Sequence, residues 1–246
     1  MSSLRTVIYV LGALAAVTLA LLVIPAVSLS GDLRTYATWL FWASFIALLV
    51  ALYVHSRGAH DSDEIEVEGP GFARFLFNNR AAGLFWLPIR IFLGVSWLDA
   101  GLHKFNDPGW MQGGSSLLAY WERAAAIPEA PGRPAITYDW YRDFITFLIN
   151  GHHEGWFAAV ITLGEIAVGL GLIIGALTGL AAFFGALMNM SFLLAGSAST
   201  NPVLFTFAIG LILAWKVAGY YGLDRYLLPR LGTPWRPGAL FRRGSG

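Results

Sequence analysis

The stretch Arg90 to Trp110, RIFLGVSWLDAGLHKFNDPGW, most constrains this chain, because it sets four ionisable side chains in a run otherwise apolar enough to cross a bilayer. Arg90 stands near its start and Asp99 deeper in. His103 and Lys104 stand near its end, where Asn106, Asp107, Pro108 and Gly109 stop the helix. Charge inside hydrocarbon is costly, so such groups pair or turn toward a cavity, and they point by default to a functional site. The whole chain agrees, with 57% hydrophobic and 13% charged residues and a mean hydropathy of +0.61. A soluble domain has about a quarter of its residues charged. The expected fold is an all-α integral membrane protein.

Six apolar runs predict six transmembrane helices. The first, Thr6 to Leu29, is too long for a typical signal peptide and reads as a span, kinked or ended by Pro25. A short polar turn, Gly31 to Thr35, leads to the second, Tyr36 to Val54, whose Trp39 and Trp42 suit a membrane interface. The third is Gly83 to Phe105, the fourth Trp156 to Ile174, the fifth Leu180 to Ala195 and the sixth Val203 to Tyr221. Four regions follow: a two-helix hairpin at 1–55, an acidic loop at 56–82, a four-helix membrane domain at 83–224 and a basic tail at 225–246. The loop carries Asp61, Asp63, Glu64, Glu66 and Glu68 and reads as a solvated connector.

The connector at 106–155 is long for a structureless loop and is expected to be partly ordered. Ser115 or Ser116 can cap one helix that ends before Pro128, and Thr137 a second that ends at Gly151. In the second, Trp140, Tyr141, Phe144, Phe147 and Leu148 share a face, the spacing of an amphipathic helix on a membrane surface. Such a helix would roof the spans.

Arginine counts outside the spans set the orientation. The side of the termini holds nine (Arg5, Arg57, Arg74, Arg80, Arg225, Arg230, Arg236, Arg242 and Arg243), and the other side four (Arg34, Arg123, Arg133 and Arg142). Both termini are therefore expected to be cytoplasmic and the 106–155 connector external, in a multi-pass plasma-membrane protein. An outer polar layer then contains Asp99, His103, Lys104, Glu165 and Asn189. An inner layer contains Arg90 and Lys216, with Asp224 just beyond. Asp99 and His103 are four apart and share a helical face, and Glu165 reaches a comparable depth from the neighbouring span.

Several chemistries are set aside. No basic run with interleaved aromatics suggests nucleic acid. The absence of cysteine removes disulfides, iron–sulfur clusters and thiol chemistry, so a redox role needs an organic carrier or a partner subunit. His152, His153 and Glu154 read as surface loop rather than a metal site, and with His103 alone inside a span neither metal nor haem is expected.

The third span's R-x3-G-x6-G-x2-K (Arg90, Gly94, Gly101, Lys104) and the fourth span's G-E-x3-G-x-G-L (Gly164, Glu165, Gly169, Gly171) resemble the DoxX family. That family includes the DoxD-type large subunit of thiosulfate:quinone oxidoreductase. The resemblance covers about Gly83 to Tyr221, the last four spans with their connector, and implies a four-helix bundle that oxidises thiosulfate to tetrathionate and reduces membrane quinone. On that reading Asp99, His103, Lys104 and Glu165 are catalytic. His103 and Lys104 attract the dianion, while Glu165 or Asp99 relays protons. Arg90, Trp97, Phe105, Trp110 and Asn189 are the expected quinone-binding residues, and the partners are membrane lipid, quinone and a small partner subunit or larger complex.

Structural readings stand beside these. Arg90 and Lys216 can pair with Asp224 or snorkel to the interface, and the outer group can form a network that only fixes helix register. Gly171, Gly175 and Gly179 allow close helix approach, or the later two form a turn. An accessory subunit of a respiratory or redox-defence complex and a small-solute or proton pathway are the alternative functions.

Overall fold

A computed structural model describes residues 2–23, 31–56, 69–233 and 236–241. The chain divides into two compact units, Met1–Glu68 and Gly69–Gly246. In the first, α1 (Ser2–Val23) packs against α2 (Gly31–Ser56). The residues buried there are small, Ala15, Thr18, Ser44 and Ala51, as close helix approach in lipid requires. Thr18 and Ser44 satisfy their hydroxyls within their own helices, donating to the carbonyls of Leu14 at 2.8 Å and Phe41 at 2.9 Å. Gly31 to Thr35, expected as a turn, instead opens α2, with Asp32 at its positively polarised end. Pro25 and the acidic run at 61–68 lie outside the described residues.

The second unit contains α3 (Gly71–Asn78), a 3₁₀ turn (Arg80–Ala82), α4 (Gly83–Asn106), α5 (Pro108–Met111), α6 (Ser115–Ala125), α7 (Asp139–Asn150), α8 (Glu154–Ile174), α9 (Thr178–Leu194), α10 (Asn201–Leu213) and α11 (Asp224–Leu231). Among the described residues the only strands are the two-residue pair Gly232–Thr233 and Arg236–Pro237. Among the described residues three helices are long and apolar enough to cross a membrane: Gly31–His55, Arg80–Asn106 and Glu154–Ile174. Thr6–Leu22, Thr178–Leu194 and Asn201–Leu213 are apolar but shorter.

Glycine builds the α4–α8 seam. A Cβ on Gly94 would meet the Gly169 carbonyl oxygen at 3.0 Å, one on Gly101 the Ile166 amide nitrogen at 2.9 Å, and one on Gly169 the Leu98 amide nitrogen at 2.6 Å. Backbones thus touch where side chains would otherwise hold them apart. Around the seam one apolar core joins Leu93 and Trp97 of α4, Val168 and Leu172 of α8, Ala182 and Ala186 of α9, and Ala208 and Leu211 of α10.

A second core underlies the connector, which is folded. Leu117 and Trp121 of α6 meet Tyr141, Ile145 and Leu148 of α7, along with Ala158 and Ala195. Of the aromatic face expected on α7, Tyr141 and Leu148 turn inward, whereas Trp140, Phe144 and Phe147 stay exposed. The expected caps shift: Gly114 occupies the cap position of α6 and Tyr138 that of α7, neither with a side-chain cap bond.

The regular helix expected to run to Tyr221 stops at Leu213. Residues 214–223 continue as hydrogen-bonded turns, with the Val217 amide donating to the Ala214 carbonyl at 2.8 Å. Their end is tied to α8 instead, through the amides of Leu223 to Ile174 at 3.1 Å and of Asp224 to Gly175 at 2.8 Å. Gly175 adopts φ +67° and Leu177 φ +49°, which makes the tight α8–α9 turn.

Candidate functional site

Gly101 lets α8 approach α4 closely, and Lys104 lies three residues further on, on the same helical face. From there the Lys104 ammonium donates to both Glu165 oxygens, at 2.7 Å to Oε2 and 3.0 Å to Oε1. The Glu165 side chain is 1% exposed and that of Lys104 19%. Lys104 Nζ also lies 5.1 Å from the Trp110 ring centre and 6.0 Å from that of Phe192, so two aromatic rings flank the cation.

Trp110 owes its place to Asp107, which the sequence reading used only as a helix stop. One Asp107 oxygen accepts from the Gly109 amide at 2.8 Å and the other from the Ser116 hydroxyl at 3.2 Å. The carboxylate thereby caps α5, ties it to α6 and holds Trp110 over Lys104.

The outer polar residues do not all converge. Asp99 and His103 approach each other, at 3.7 Å, but their side chains are 73% and 82% exposed and turn away from Lys104 and Glu165. Asn189 is fully buried and donates to Asn201 Oδ1 at 2.9 Å. Asn201 in turn donates to the Ser197 carbonyl at 2.8 Å, which ties α9 to the start of α10. Trp97 is buried against Gly185, and Phe105 is half exposed. The three aromatic side chains expected to flank one ring therefore occupy three places. Two buried polar atoms here have no partner among the described residues, the Trp97 indole N–H and Asn189 Oδ1.

Between α6, α7 and α8 is a cavity of about 70 Å³ lined by Tyr120, Trp121, Tyr141, Phe157 and Phe192, the last of which also flanks Lys104. The Tyr141 hydroxyl donates to the Ser191 carbonyl at 2.8 Å. Burial, with Tyr120 nearby, pushes its phenol up to about 12.

Toward the other end of α4, Arg90 is 2% exposed and donates through Nη2 to the Tyr221 carbonyl at 3.2 Å, while Nε and Nη1 lack partners among the described residues. Its guanidinium occupies the room left by Gly175 and Gly222. Asp224 attracts it by charge, but both Asp224 oxygens are already committed to the start of α9, accepting from the Leu177 amide at 2.6 Å and the Thr178 amide at 2.9 Å. Lys216 does not pair with Asp224. It donates to Asn78 Oδ1 at 3.2 Å. At the start of α8, His153 accepts from the Trp156 indole at 3.3 Å, and no three metal-ligating side chains cluster among the described residues.

A helical membrane protein is thus defined, with a buried acid–base pair at one end of its central helices and a buried guanidinium at the other. The chain belongs to the DoxD family: the family model described as "TQO small subunit DoxD" matches residues 85–236, well over half of it. The match runs from α4 through α11 and leaves the N-terminal hairpin outside, as the motif resemblance does. The motifs pointed to the large subunit, whereas the family description names the small one. No curated protein and no solved structure matches the chain.

Proposed function

We propose that this chain is the membrane subunit of a quinone-linked oxidoreductase that passes electrons from thiosulfate, or a similar small sulfur anion, to membrane quinone together with a partner subunit. It crosses the plasma membrane six times, with both termini cytoplasmic and the connector external. The observation that carries the reading is the Lys104–Glu165 pair, a buried ammonium and carboxylate joined twice and flanked by Trp110 and Phe192. Two thiosulfates each give up one electron and join through a new S–S bond as tetrathionate. Both electrons, with two protons, end on the quinone, which leaves as quinol. Lys104 supplies the positive charge that attracts the anion, and Glu165 is the proton-transfer group beside it. The unpartnered Trp97 N–H and Asn189 Oδ1 offer a donor and an acceptor to a quinone carbonyl and a quinol hydroxyl.

Room for the ring is the missing part. About 70 Å³ is well below the roughly 300 Å³ at which ligand pockets begin, and glycine contacts close the α4–α8 seam. A partner subunit that completes the site accounts for this. Asp99 and His103 support one, since ionisable side chains on the outward face of a span are costly until protein covers them.

Membranes carrying the chain and its partner should reduce quinone when given thiosulfate. Glu165→Gln should lower the rate on the order of a hundredfold, the usual contribution of a positioned proton-transfer group, and Lys104→Gln should lower it by weakening capture of the anion. Activity equal to an empty-vector control refutes the reading. The small cavity and the mutually neutralised pair favour a second reading, an accessory subunit that holds a larger complex together. In that case pull-down yields a large assembly whose activity survives Glu165→Gln.

A further inference from the structure

At the end of α4 remote from Lys104 there is an open cleft of about 430 Å³, within the range that small ligands occupy. Its walls come from the 3₁₀ turn before α4, the turns after α10, and α11. They bring three cationic side chains together: Arg80, Lys216 and Arg225. None of the three has a carboxylate partner within ion-pair distance among the described residues. Asp224 also lines the cleft, but its oxygens accept from the Leu177 and Thr178 amides, at 2.6 and 2.9 Å, and its charge acts on Arg90 behind it.

The aromatic residues hold this like-charge cluster in place. The Arg80 guanidinium lies 5.5 Å and that of Arg225 5.8 Å from the centre of the Tyr220 ring, and Arg225 lies 4.8 Å from that of Tyr226. Stacking of this kind orients a guanidinium while leaving its N–H edge free for an incoming oxyanion. Lys216, anchored on Asn78 Oδ1 at 3.2 Å, adds a third donor.

The depth suits a lipid headgroup. Arg80–Asn106 is 27 residues long, roughly 40 Å at 1.5 Å per residue, close to a bilayer with its headgroup layers. Arg80 therefore stands in the headgroup layer, beside interfacial tyrosines.

We propose that this cleft binds the phosphate of an anionic phospholipid, with Arg80 and Arg225 as paired guanidinium donors and Lys216 as a point charge. The function is separate from the Lys104–Glu165 site and does not depend on that site's activity. A soluble phosphate anion shares the headgroup's chemistry, so the test must separate the two sources.

The test uses the full chain in neutral detergent, titrated with short-chain phosphatidylglycerol, short-chain phosphatidylcholine and inorganic phosphate. Phosphatidylglycerol should bind at least about tenfold more tightly than phosphatidylcholine, and equimolar phosphate should not displace it. Each lost cation near an anionic surface is worth about fivefold, so Arg80→Gln/Lys216→Gln/Arg225→Gln should weaken binding on the order of a hundredfold. Arg123→Gln/Arg133→Gln, in the connector, should leave it unchanged. Lys216 is exposed, donates to Asn78 Oδ1 and lies 5.9 Å from the centre of the Trp215 ring, so Lys216→Gln alone tests the site in an intact fold and should cost about fivefold. Equal affinity for the two lipids, displacement by phosphate, an equal loss in the connector variant, or an unchanged Lys216→Gln overturns the proposal.

Discussion

Gly101 and Glu165 lie so close across the α4–α8 seam that a methyl group on Gly101 would meet the Glu165 Cβ at 3.1 Å and the Ile166 amide nitrogen at 2.9 Å. Backbone cannot retreat as a flexible side-chain tip can. Gly101→Ala should therefore lose about 1–3 kcal/mol to overpacking, more than it gains from alanine's helix preference. Gly164→Ala is the control, because its nearest neighbour is the Met188 sulfur at 3.7 Å, ordinary contact. Thermal melting in detergent should show a lower midpoint for Gly101→Ala and an unchanged or higher one for Gly164→Ala.

The Lys104–Glu165 pair should show strong coupling. Removing one partner leaves the other charge buried without its counter-ion, a loss of about 3–5 kcal/mol, whereas removing both leaves no orphan. Lys104→Met and Glu165→Met should each destabilise the protein more than the double variant does. Thermal melts of all four proteins check this, and simple additivity would mean that the two groups do not depend on each other.

Much of this was legible in the sequence, and the remainder failed for physical reasons. The boundaries of α4 and α8 followed from long apolar runs between Gly, Asn, Asp and Pro stops, whereas close approach was read at Gly171, Gly175 and Gly179 and not at Gly94, Gly101 and Gly169, where the backbones of α4 and α8 meet. Which way each polar side chain points was not legible. A helix apolar on every side carries no phase, so the adjacent His103 and Lys104 could not be told apart as outward and inward. The end of α10 was obscured because the run to Tyr221 stays apolar. In the turns that follow, Gly219 makes room for the Asp224 carboxylate and Gly222 for Arg90, tertiary contacts that an apolar run does not announce. Asp107 was read as a helix stop and Asp224 as an ion-pair partner for Arg90 and Lys216, and only the fold reveals their carboxylates accepting from the first amides of α5 and α9.

Asp107 controls access to Lys104 without touching it. Asp107→Ala frees the Gly109 amide and the Ser116 hydroxyl, loosening the turn that seats Trp110, at a cost of about 1 kcal/mol for the lost cap. Lys104 should then react faster with an amine-acylating reagent, as read by mass spectrometry of its peptide. Reactivity equal to the parent protein would mean that Trp110 does not shield the ammonium.

Tyr141 makes the connector's attachment sensitive to alkali. The neutral phenol is the form that the buried site accepts, donating to Ser191 on α9, and its pKa is raised from 10.0 to about 12. For an acid whose folded pKa lies above its unfolded value, the fold binds the proton more tightly. The associated stability is fully present below about pH 10 and is lost as pH rises through about 12. Melting midpoints should thus show no pH dependence from the Tyr141 proton near neutral pH and should fall across that alkaline window. Tyr141→Phe should start lower by about 1 kcal/mol, the net worth of the hydrogen bond, yet decline less steeply between pH 10 and 12. Parallel alkaline slopes for the two proteins would show that the Tyr141 proton does not stabilise the fold.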